Sequence, residues 1–217
     1  MANDNINIGI VGLGFMAAMH IRAYREIDGV NVAAICDLDP ERLKGDFTKA
    51  LGNIDSGEPV ILDMSQVKAY QDFKELLADD SIDAIDICTP TRTHLFMAKP
   101  ALASGKHVIC EKPLARNIAD ATELVEAAEQ AKGQFMVGMC LRFWPQWAWL
   151  KEAVVSGRYG KVQAAHLQRI AEPPAWGQAI YFDGKTSGGA LFDLHVHDTD
   201  FVQHVFGRPK SVYSTGF

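Results

Sequence analysis

Residues 8–20 read IGIVGLGFMAAMH, and this stretch decides the fold. A largely apolar run, Ile6–Val11, leads into the pattern GxGxxA, with Gly12, Gly14 and Ala17 at its three defined positions. The run predicts a buried strand, and the residues after the glycines predict a helix. A glycine-rich turn between a strand and a helix is typical of dinucleotide-binding domains. A purely structural turn is the alternative.

The same alternation continues through the first two-thirds of the chain. Further strands are predicted at Val30–Cys36, Ala84–Cys88, His107–Cys110 and Phe135–Met139, with a weak one near Val67–Tyr70 after a loop insertion at 52–65. Helices are predicted at Met16–Ile27, Pro40–Ala50, Asp72–Ala78, Thr93–Ser104 and Ile118–Lys132. This order predicts an α/β fold, a doubly wound parallel sheet whose ligand crevice lies at the carboxyl ends of the strands.

Asp37 follows the second predicted strand, 25 positions after Gly12 (37 − 12). An acid at that place is suited to the hydroxyls of an adenosine ribose. Asp39 comes next, and no arginine is directly beside the two acids in sequence. Because a 2′-phosphate would face two carboxylates there, the sequence favours NAD over NADP. If the turn is only structural, Asp37 caps a helix.

The pattern changes after Cys140. The segment 144–157 predicts a helix with an aromatic start, 161–171 and 210–216 predict strands, and 172–178 predicts a loop. Two strands and a helix do not make a stable sheet domain unaided. We therefore expect residues 1–140 to form a dinucleotide-binding domain and residues 141–217 to form part of a second one.

Composition limits the class of protein. The chain is 48% hydrophobic and 22% charged, with a formal net charge of −6. An acidic balance without a long basic run argues against nucleic acid or an anionic membrane as the partner. The four cysteines form no CxxC pair and follow apolar runs, which is typical of small core residues in a reducing compartment. With no secretory signal visible, we expect a cytoplasmic protein.

Three further segments carry a family resemblance: ICTPTRTH (87–94), GKHVICEKPLA (105–115) and SGGALFDLHVHD (187–198). Together with the GxGxxA turn and GMCLRFWP (138–145), they resemble the Gfo/Idh/MocA family of NAD(P)-dependent oxidoreductases. The resemblance covers essentially the whole chain. It implies an N-terminal Rossmann domain, a C-terminal α/β domain with a mainly antiparallel sheet, and a homo-oligomer when full length. Family members are considerably longer than this chain.

The resemblance also implies roles for individual residues. Lys112 of the EKP motif would lie beside the nicotinamide, with Asp193 and His197 of DxxxH as its catalytic partners. The Lys112–Pro113 bond is often cis in relatives. The family resemblance implies these cofactor contacts: Gly12, Gly14, Phe15, Met16, Asp37, Thr89, Pro90, His94, Glu111 and Lys112.

Some positions depart from the family pattern or leave alternatives open. Thr91 stands where relatives often have asparagine, and His195 where glycine is common. Arg142 is a candidate substrate contact, and a structural ion pair is an equal alternative. The remaining histidines at 20, 107 and 166 are interpreted as structural.

The DxxxH residues have chemistry suited to alcohol oxidation. On a helix, Asp193 and His197 are four residues apart and share a face. A carboxylate fixes the tautomer of a neighbouring imidazole and raises its basicity, and an imidazole can accept a hydroxyl proton near neutral pH. Lys112 supplies positive charge where an alkoxide develops. Either Lys112 or His197 is the direct base; the sequence leaves this open.

The same stretch also has a metal-binding and a solvated-surface interpretation. Asp193, His197, Asp200 and His204 have spacings of four, three and four, but His204 lies about two helical turns beyond His197. No metal site is therefore predicted. The simplest interpretation of Asp198, Asp200 and His204 is a solvated helix face.

The sequence leads to one main function and two alternatives. The main one is an NAD-dependent dehydrogenase or reductase that acts on CH–OH groups of a sugar or cyclitol. A redox-neutral NAD-dependent glycoside hydrolase is the second. A non-catalytic NAD-binding sensor or regulatory protein is the third.

Overall fold

The computed structural model describes residues 5–50, 52, 58–170 and 182–216. These residues divide into two compact units, one ending at Gly138 and the other beginning at Met139. The domain boundary predicted after residue 140 lies close to this division. The loop predicted at 172–178 lies outside the described residues. In the described part of the chain, no helix has the length and apolar character needed to cross a membrane.

The first unit contains a parallel sheet of six strands in the order β3-β2-β1-β4-β5-β6. The strands are β1 Ile6–Val11, β2 Val30–Cys36, β3 Lys68–Tyr70, β4 Ala84–Ile87, β5 His107–Cys110 and β6 Phe135–Val137. Every neighbouring pair is parallel. This confirms the predicted doubly wound sheet. Its order reverses between β1 and β4, which is where ligands bind in such sheets.

Helices cover both faces of this sheet: α1 Phe15–Arg25, α2 Phe73–Leu77, α3 His94–Ala103 and α4 Ile118–Gln130. Strand β1 has apolar side chains on both sides, because Ile8 and Ile10 belong to one core cluster and Val11 to the other. Gly9 has no side chain because Leu76 of α2 packs closely there: a Cβ on Gly9 would lie 2.7 Å from Leu76 Cδ1. Burial on both faces explains why the strands read as continuous apolar runs.

The helix predicted at Pro40–Ala50 is wrong. The structure has only a 3-10 turn, Arg42–Lys44, which ends at Gly45 in the left-handed conformation with φ 73°. The chain then extends, and Asp46 forms an antiparallel bridge with Ile61. Beyond that bridge the insertion predicted as a loop adds buried residues, Val60 and Leu62, to the core around α1.

The regular structure in the described residues of the second unit consists of helices. Its helices are α5 Pro145–Val155, α6 Gly184–Ser187, α7 Gly189–Asp193 and α8 His195–Phe206. Buried Phe201 of α8 meets the Trp147 ring of α5 edge-on, with ring centroids 4.6 Å apart. The predicted strands at 161–171 and 210–216 are not formed: residues 161–170 and 210–216 have no regular structure. An extended segment becomes a strand only beside a hydrogen-bonded neighbour, and neither segment has one among the described residues.

Candidate active site

The residues that follow the strands of the first unit lie along one edge of the sheet. Each continues the backbone hydrogen bonding of the strand before it: Gly12 N–H donates to Cys36 O at 2.9 Å, Cys88 N–H to Val11 O at 2.9 Å, and Glu111 N–H to Ile87 O at 2.9 Å. The glycine turn, the Cys88–Thr89 segment and the EKP motif are therefore neighbours at the carboxyl edge. Parallel strands bring them together although they are about a hundred residues apart in sequence.

The glycine turn is shaped by its first glycine. Gly12 has φ 86°, and a Cβ there would lie 2.6 Å from Thr89 Cγ2 and 2.9 Å from the carbonyl carbon of Cys88. Only glycine combines this conformation with so close a neighbour. The turn is thus held against the segment that follows β4.

Gly14, the second glycine, faces open space at the start of α1. It is the N-cap residue of this helix in an extended conformation, and a Cβ built on it meets nothing within 4 Å. The first backbone N–H groups of a helix have no acceptor within it, and they attract anions. A dinucleotide pyrophosphate fits this arrangement. Phe15 and Met16 are the first two residues of this helix, so their amides are among those without an acceptor within it.

Asp37 is fixed beside the turn. Its Oδ2 accepts the N–H of Leu13 at 2.7 Å, and its Oδ1 accepts the N–H of Asp39 at 2.9 Å. One acid therefore joins the end of β2 to the glycine turn, at the place where a ribose-binding acid is expected in such folds.

Arg42 lies beside these acids, which the sequence did not indicate. Its guanidinium is 3.7 Å from the carboxylates of both Asp37 and Asp39, because the 3-10 turn returns the chain toward β2. No arginine is directly beside the two acids in sequence, and it is the fold that brings Arg42 to them. Two carboxylates still outnumber one guanidinium, which preserves the electrostatic preference for NAD.

The segment after β4 is tied together by hydroxyl groups and His94. Thr93 Oγ1 donates to Thr89 Oγ1 or to Pro90 O, each at 2.7 Å. The ring of His94 is 1% exposed, and its nitrogens lie 2.9 Å from Thr89 O and 2.9 Å from Pro113 O. Burial lowers the pKa of His94. His94 thus links this segment to the EKP turn, and a direct contact between His94 and the cofactor stays a prediction.

The EKP turn has the expected backbone. The Lys112–Pro113 peptide bond is cis. The N–H of Lys112 donates to Glu111 Oε2 at 3.0 Å, so the glutamate holds the backbone of the lysine that follows it.

His20 is the site-forming residue that sequence reasoning missed. This α1 residue was interpreted as structural, yet its Nδ1 lies 2.8 Å from Asp86 Oδ2 and its Nε2 lies 3.2 Å from Glu111 Oε1. Tyr24, one helical turn later, donates its hydroxyl to the same Asp86 oxygen at 2.8 Å. The available signal was the i, i+4 spacing of His20 and Tyr24 on one helix face, next to a strand that contains an acid.

The DxxxH residues of the second unit are not on one helix. Helix α7 ends at Asp193 and α8 begins at His195, with Leu194 between them at φ −106°. The N–H of His197 donates to Leu194 O at 3.2 Å instead of to Asp193 O. The shared helix face predicted for Asp193 and His197 is therefore wrong in detail, although both side chains are half-buried in the same bend.

The acids of α8 are paired and not solvated, contrary to expectation. Asp198 is 6% exposed and accepts two hydrogen bonds of 2.7 Å from the guanidinium of Arg169. Asp200 accepts two from Arg142, with Nε–Oδ2 at 2.8 Å. Of the two alternatives for Arg142, the ion pair is therefore formed; a substrate contact stays a prediction.

Cys36 and Cys110 are buried, Cys88 is half-buried, and Cys140 is exposed, so the core assignment was wrong for Cys140. Within the described ranges, one group has the spacing of a metal site: His20, Asp86 and Cys88, whose ligand atoms lie within 4.8 Å of one another.

Comparison with known families gives two matches that cover most of the chain. The model described as an oxidoreductase family with an NAD-binding Rossmann fold, GFO_IDH_MocA, matches residues 6–139. The model of the GFO/IDH/MocA C-terminal domain matches residues 147–217.

Three individual proteins illustrate the similarity. Myo-inositol 2-dehydrogenase of Thermotoga maritima is 32% identical over 97% of this chain and 58% of its own length. 2,7-Anhydro-N-acetylneuraminate hydratase of Escherichia coli is 28% identical over 97% of this chain and 52% of its own. The crystal structure of apo scyllo-inositol dehydrogenase from Lactobacillus casei superposes with a TM-score of 0.74 at 26% identity, covering 95% of this chain and 56% of that one. The chain thus spans little more than half the length of the proteins it matches.

Proposed function

The chain belongs to the GFO/IDH/MocA family of oxidoreductases, and on that premise we propose that it transfers a hydride between NAD(H) and a carbinol or ketone carbon of a sugar, cyclitol or related polyol. The observation that carries the proposal is the open space at Gly14, at the start of α1, with Asp37 fixed beside it. The relatives named for myo-inositol and scyllo-inositol support cyclitols as the first substrates to test.

The residues that would hold NAD are those of the carboxyl edge. The amides of Phe15 and Met16 would meet the pyrophosphate beside Gly14, and Asp37 would accept hydrogen bonds from the adenosine ribose. Thr89 and Pro90 would line the channel toward Glu111. When bound, NAD supplies the acceptor for the hydride that leaves the carbinol carbon.

The protein must supply a base and a positive charge. Removing the hydroxyl proton leaves negative charge on the substrate oxygen, and the Lys112 ammonium would stabilise it. His197 is the candidate acceptor of that proton, with Asp193 orienting its ring. These two residues belong to the second unit, and their roles rest on the match to the DxxxH motif.

The proposal is tested by NADH formation from NAD with a panel of cyclitols, sugars and sugar acids. Lys112→Ala and His197→Ala are each expected to lower kcat/KM by about a hundredfold or more. NADH affinity measured in parallel should stay close to that of the wild type.

Two control variants each remove a lysine or a histidine outside the proposed site. Lys99→Ala removes an exposed lysine paired with Glu123, and His204→Gln removes a histidine that contacts Lys151. Both controls should keep wild-type activity. Wild-type activity in Lys112→Ala and His197→Ala would instead refute the assigned roles.

A second candidate is a redox-neutral reaction in which the hydride returns to the same substrate. The relative named as a hydratase supports it, because hydration changes no net oxidation state. This candidate predicts product formation without accumulation of NADH. A sensor, the third possibility, would bind NADH tightly and convert no substrate of the panel. Oligomerisation, like a cytoplasmic location, stays a prediction.

A further inference from the structure

A buried network of side chains contacts the EKP turn of the first unit. His20 Nε2 lies 3.2 Å from Glu111 Oε1, and the other oxygen of Glu111 accepts the N–H of Lys112 at 3.0 Å. We propose that His20 is a positioning residue: as an imidazolium it fixes the Glu111 carboxylate, which in turn fixes the backbone of Lys112. The proposal rests on the role proposed above for Lys112.

The opposite side of the ring explains why His20 must carry two protons. Its Nδ1 lies 2.8 Å from Oδ2 of Asp86, a residue with 0% exposure. A neutral imidazole has one N–H and would turn a lone pair toward one of the two carboxylates. The imidazolium donates to both Asp86 and Glu111, and it balances one of their two negative charges.

The charges of the network agree with this geometry. Burial lowers the pKa of His20, because it disfavours the charged imidazolium. The hydrogen bonds with Asp86, Cys88 and Glu111 outweigh this effect of burial and raise the pKa far above its ordinary value. Likewise, burial opposes the charged form of Glu111, yet the hydrogen bond with His20 lowers its pKa. The pair is therefore ionised across the neutral range.

Gly138 leaves the room that Glu111 occupies. A Cβ on Gly138 would lie 2.8 Å from Glu111 Oε1 and 3.3 Å from its Cδ. Gly138 follows the last residue of β6, and its N–H donates to Cys110 O at 2.8 Å. This hydrogen bond holds the backbone of Gly138 close to Glu111. The carboxylate is thus confined between the His20 ring and the Gly138 backbone, and Gly138→Ala displaces it without changing any charge.

A metal ion is the competing occupant of this network, because Nδ1 of His20, Asp86 and Cys88 have a suitable spacing. The geometry favours a proton instead. Two ligand atoms bound to one tetrahedral ion at about 2.0–2.1 Å lie about 3.3 Å apart, whereas His20 Nδ1 and Asp86 Oδ2 are 2.8 Å apart, the distance of a hydrogen bond. The Cys88 thiol donates to the other oxygen of Asp86, with Sγ and Oδ1 3.6 Å apart.

The first test is the protonation state of His20 in the full 217-residue chain. Nitrogen NMR of the imidazole rings, with the His20 signals assigned by their loss in His20→Gln, should show both ring nitrogens protonated from about pH 6 to about pH 9. A single protonated nitrogen would overturn the proposal. So would a stoichiometric metal found by elemental analysis.

The second test follows the backbone of Lys112. In His20→Gln and in Gly138→Ala, the Lys112 amide should exchange its hydrogen about tenfold faster, as expected when one charge-assisted hydrogen bond is lost. His107→Gln, a substitution of the same kind at the other end of β5, should leave it unchanged. Unchanged exchange in the first two variants would overturn the proposal, and if one of them fails to fold, the other decides.

A kinetic test separates positioning from mere stability. Gly138→Ala and His20→Gln should lower kcat by about tenfold, and they should weaken NADH binding by a smaller factor. Unchanged kcat would remove the positioning role. The NMR and exchange tests need no substrate, so absence of turnover on every polyol would refute the proposed function and leave the network to be judged separately.

Discussion

The two glycines of the GxGxxA turn should respond to the same substitution in opposite ways. Gly12→Ala places a Cβ 2.6 Å from Thr89 Cγ2 and 2.9 Å from the backbone of Cys88, at φ 86°. Gly14→Ala places its Cβ in open space at a negative φ of −94°. The first variant therefore tests how the glycine turn stabilises the fold, and the second tests where the cofactor binds.

The magnitudes follow from these contacts. For Gly12→Ala, the left-handed conformation costs about 1–2 kcal/mol, and contact with backbone that cannot move adds about 1–3 kcal/mol. The free energy of unfolding should fall by about 2–5 kcal/mol. For Gly14→Ala, the loss of a preferred N-cap and the reduced entropy of the unfolded chain nearly cancel, leaving a change within about 1 kcal/mol. NADH binding should nevertheless weaken by about tenfold or more, the equivalent of 1.4 kcal/mol.

Urea unfolding followed by circular dichroism measures the first quantity, and titration of NADH fluorescence measures the second. If Gly14→Ala binds NADH like the wild type, the pyrophosphate does not lie at the start of α1 and the cofactor assignment is refuted. If Gly12→Ala is as stable as the wild type, the close packing of the turn against Thr89 is refuted.

Three further substitutions test individual charges. Asp37→Ser should shift the ratio of NADPH to NADH affinity by about tenfold or more toward NADPH, because it removes one carboxylate and leaves Arg42 in place. Asp79→Asn should lower the free energy of unfolding more at pH 7 than at pH 3. The reason is that the hydrogen bond from Lys68 and those from its other partners lower the pKa of Asp79, so its contribution is present above pH 3.8 and is lost as the pH falls further. Arg169→Ala should destabilise the second unit by about 1–3 kcal/mol, because buried Asp198 loses its bidentate partner while the guanidinium was itself 35% exposed.

Each of these substitutions has a matched control in the chain. Asp63→Ser removes an acid whose side chain accepts hydrogen bonds from Ser65 of its own turn in the described part of the chain, and it should not change cofactor preference. Asp80→Asn alters an exposed neighbour of Asp79 and should show no difference between the two pH values. Arg158→Ala breaks an exposed pair with Glu152 and should cost less than about 1 kcal/mol. Equal effects of variant and control would contradict the corresponding assignment.

The sheet of the first unit could be predicted because its strands are buried on both faces. Continuous apolar runs such as Val30–Cys36 leave little choice of structure, and the predicted limits of that strand are correct. Helix limits were also predictable where capping residues mark them: Asn117 accepts the N–H of Asp120 and begins α4. The pattern failed at Pro40–Ala50, where the left-handed Gly45 ends the turn and buried Phe47 is part of a tertiary core rather than of a helix face.

The candidate site was less predictable where it depends on contacts between distant residues. His20 meets Asp86, 66 positions away, and its second partner is at 111. Arg42 reaches Asp37 only because a turn reverses the chain. No local spacing encodes such pairs. The motif match singled out Glu111 and Lys112, and the structure places both after β5 at the carboxyl edge of the sheet; their contacts with a cofactor stay predictions. The motif could not reveal what holds Glu111 in place.

The central claim is hydride transfer from a polyol carbon to NAD. It is tested most directly in a single turnover, with enzyme in excess over NAD, a polyol deuterated at its carbinol carbons, and mass analysis of the cofactor. With myo-inositol as the first polyol, we expect deuterium in the cofactor with the wild type, and deuterium transfer slower by about a hundredfold or more with Lys112→Ala. If NAD binds tightly and acquires deuterium from no member of a cyclitol and sugar panel, the claim is contradicted.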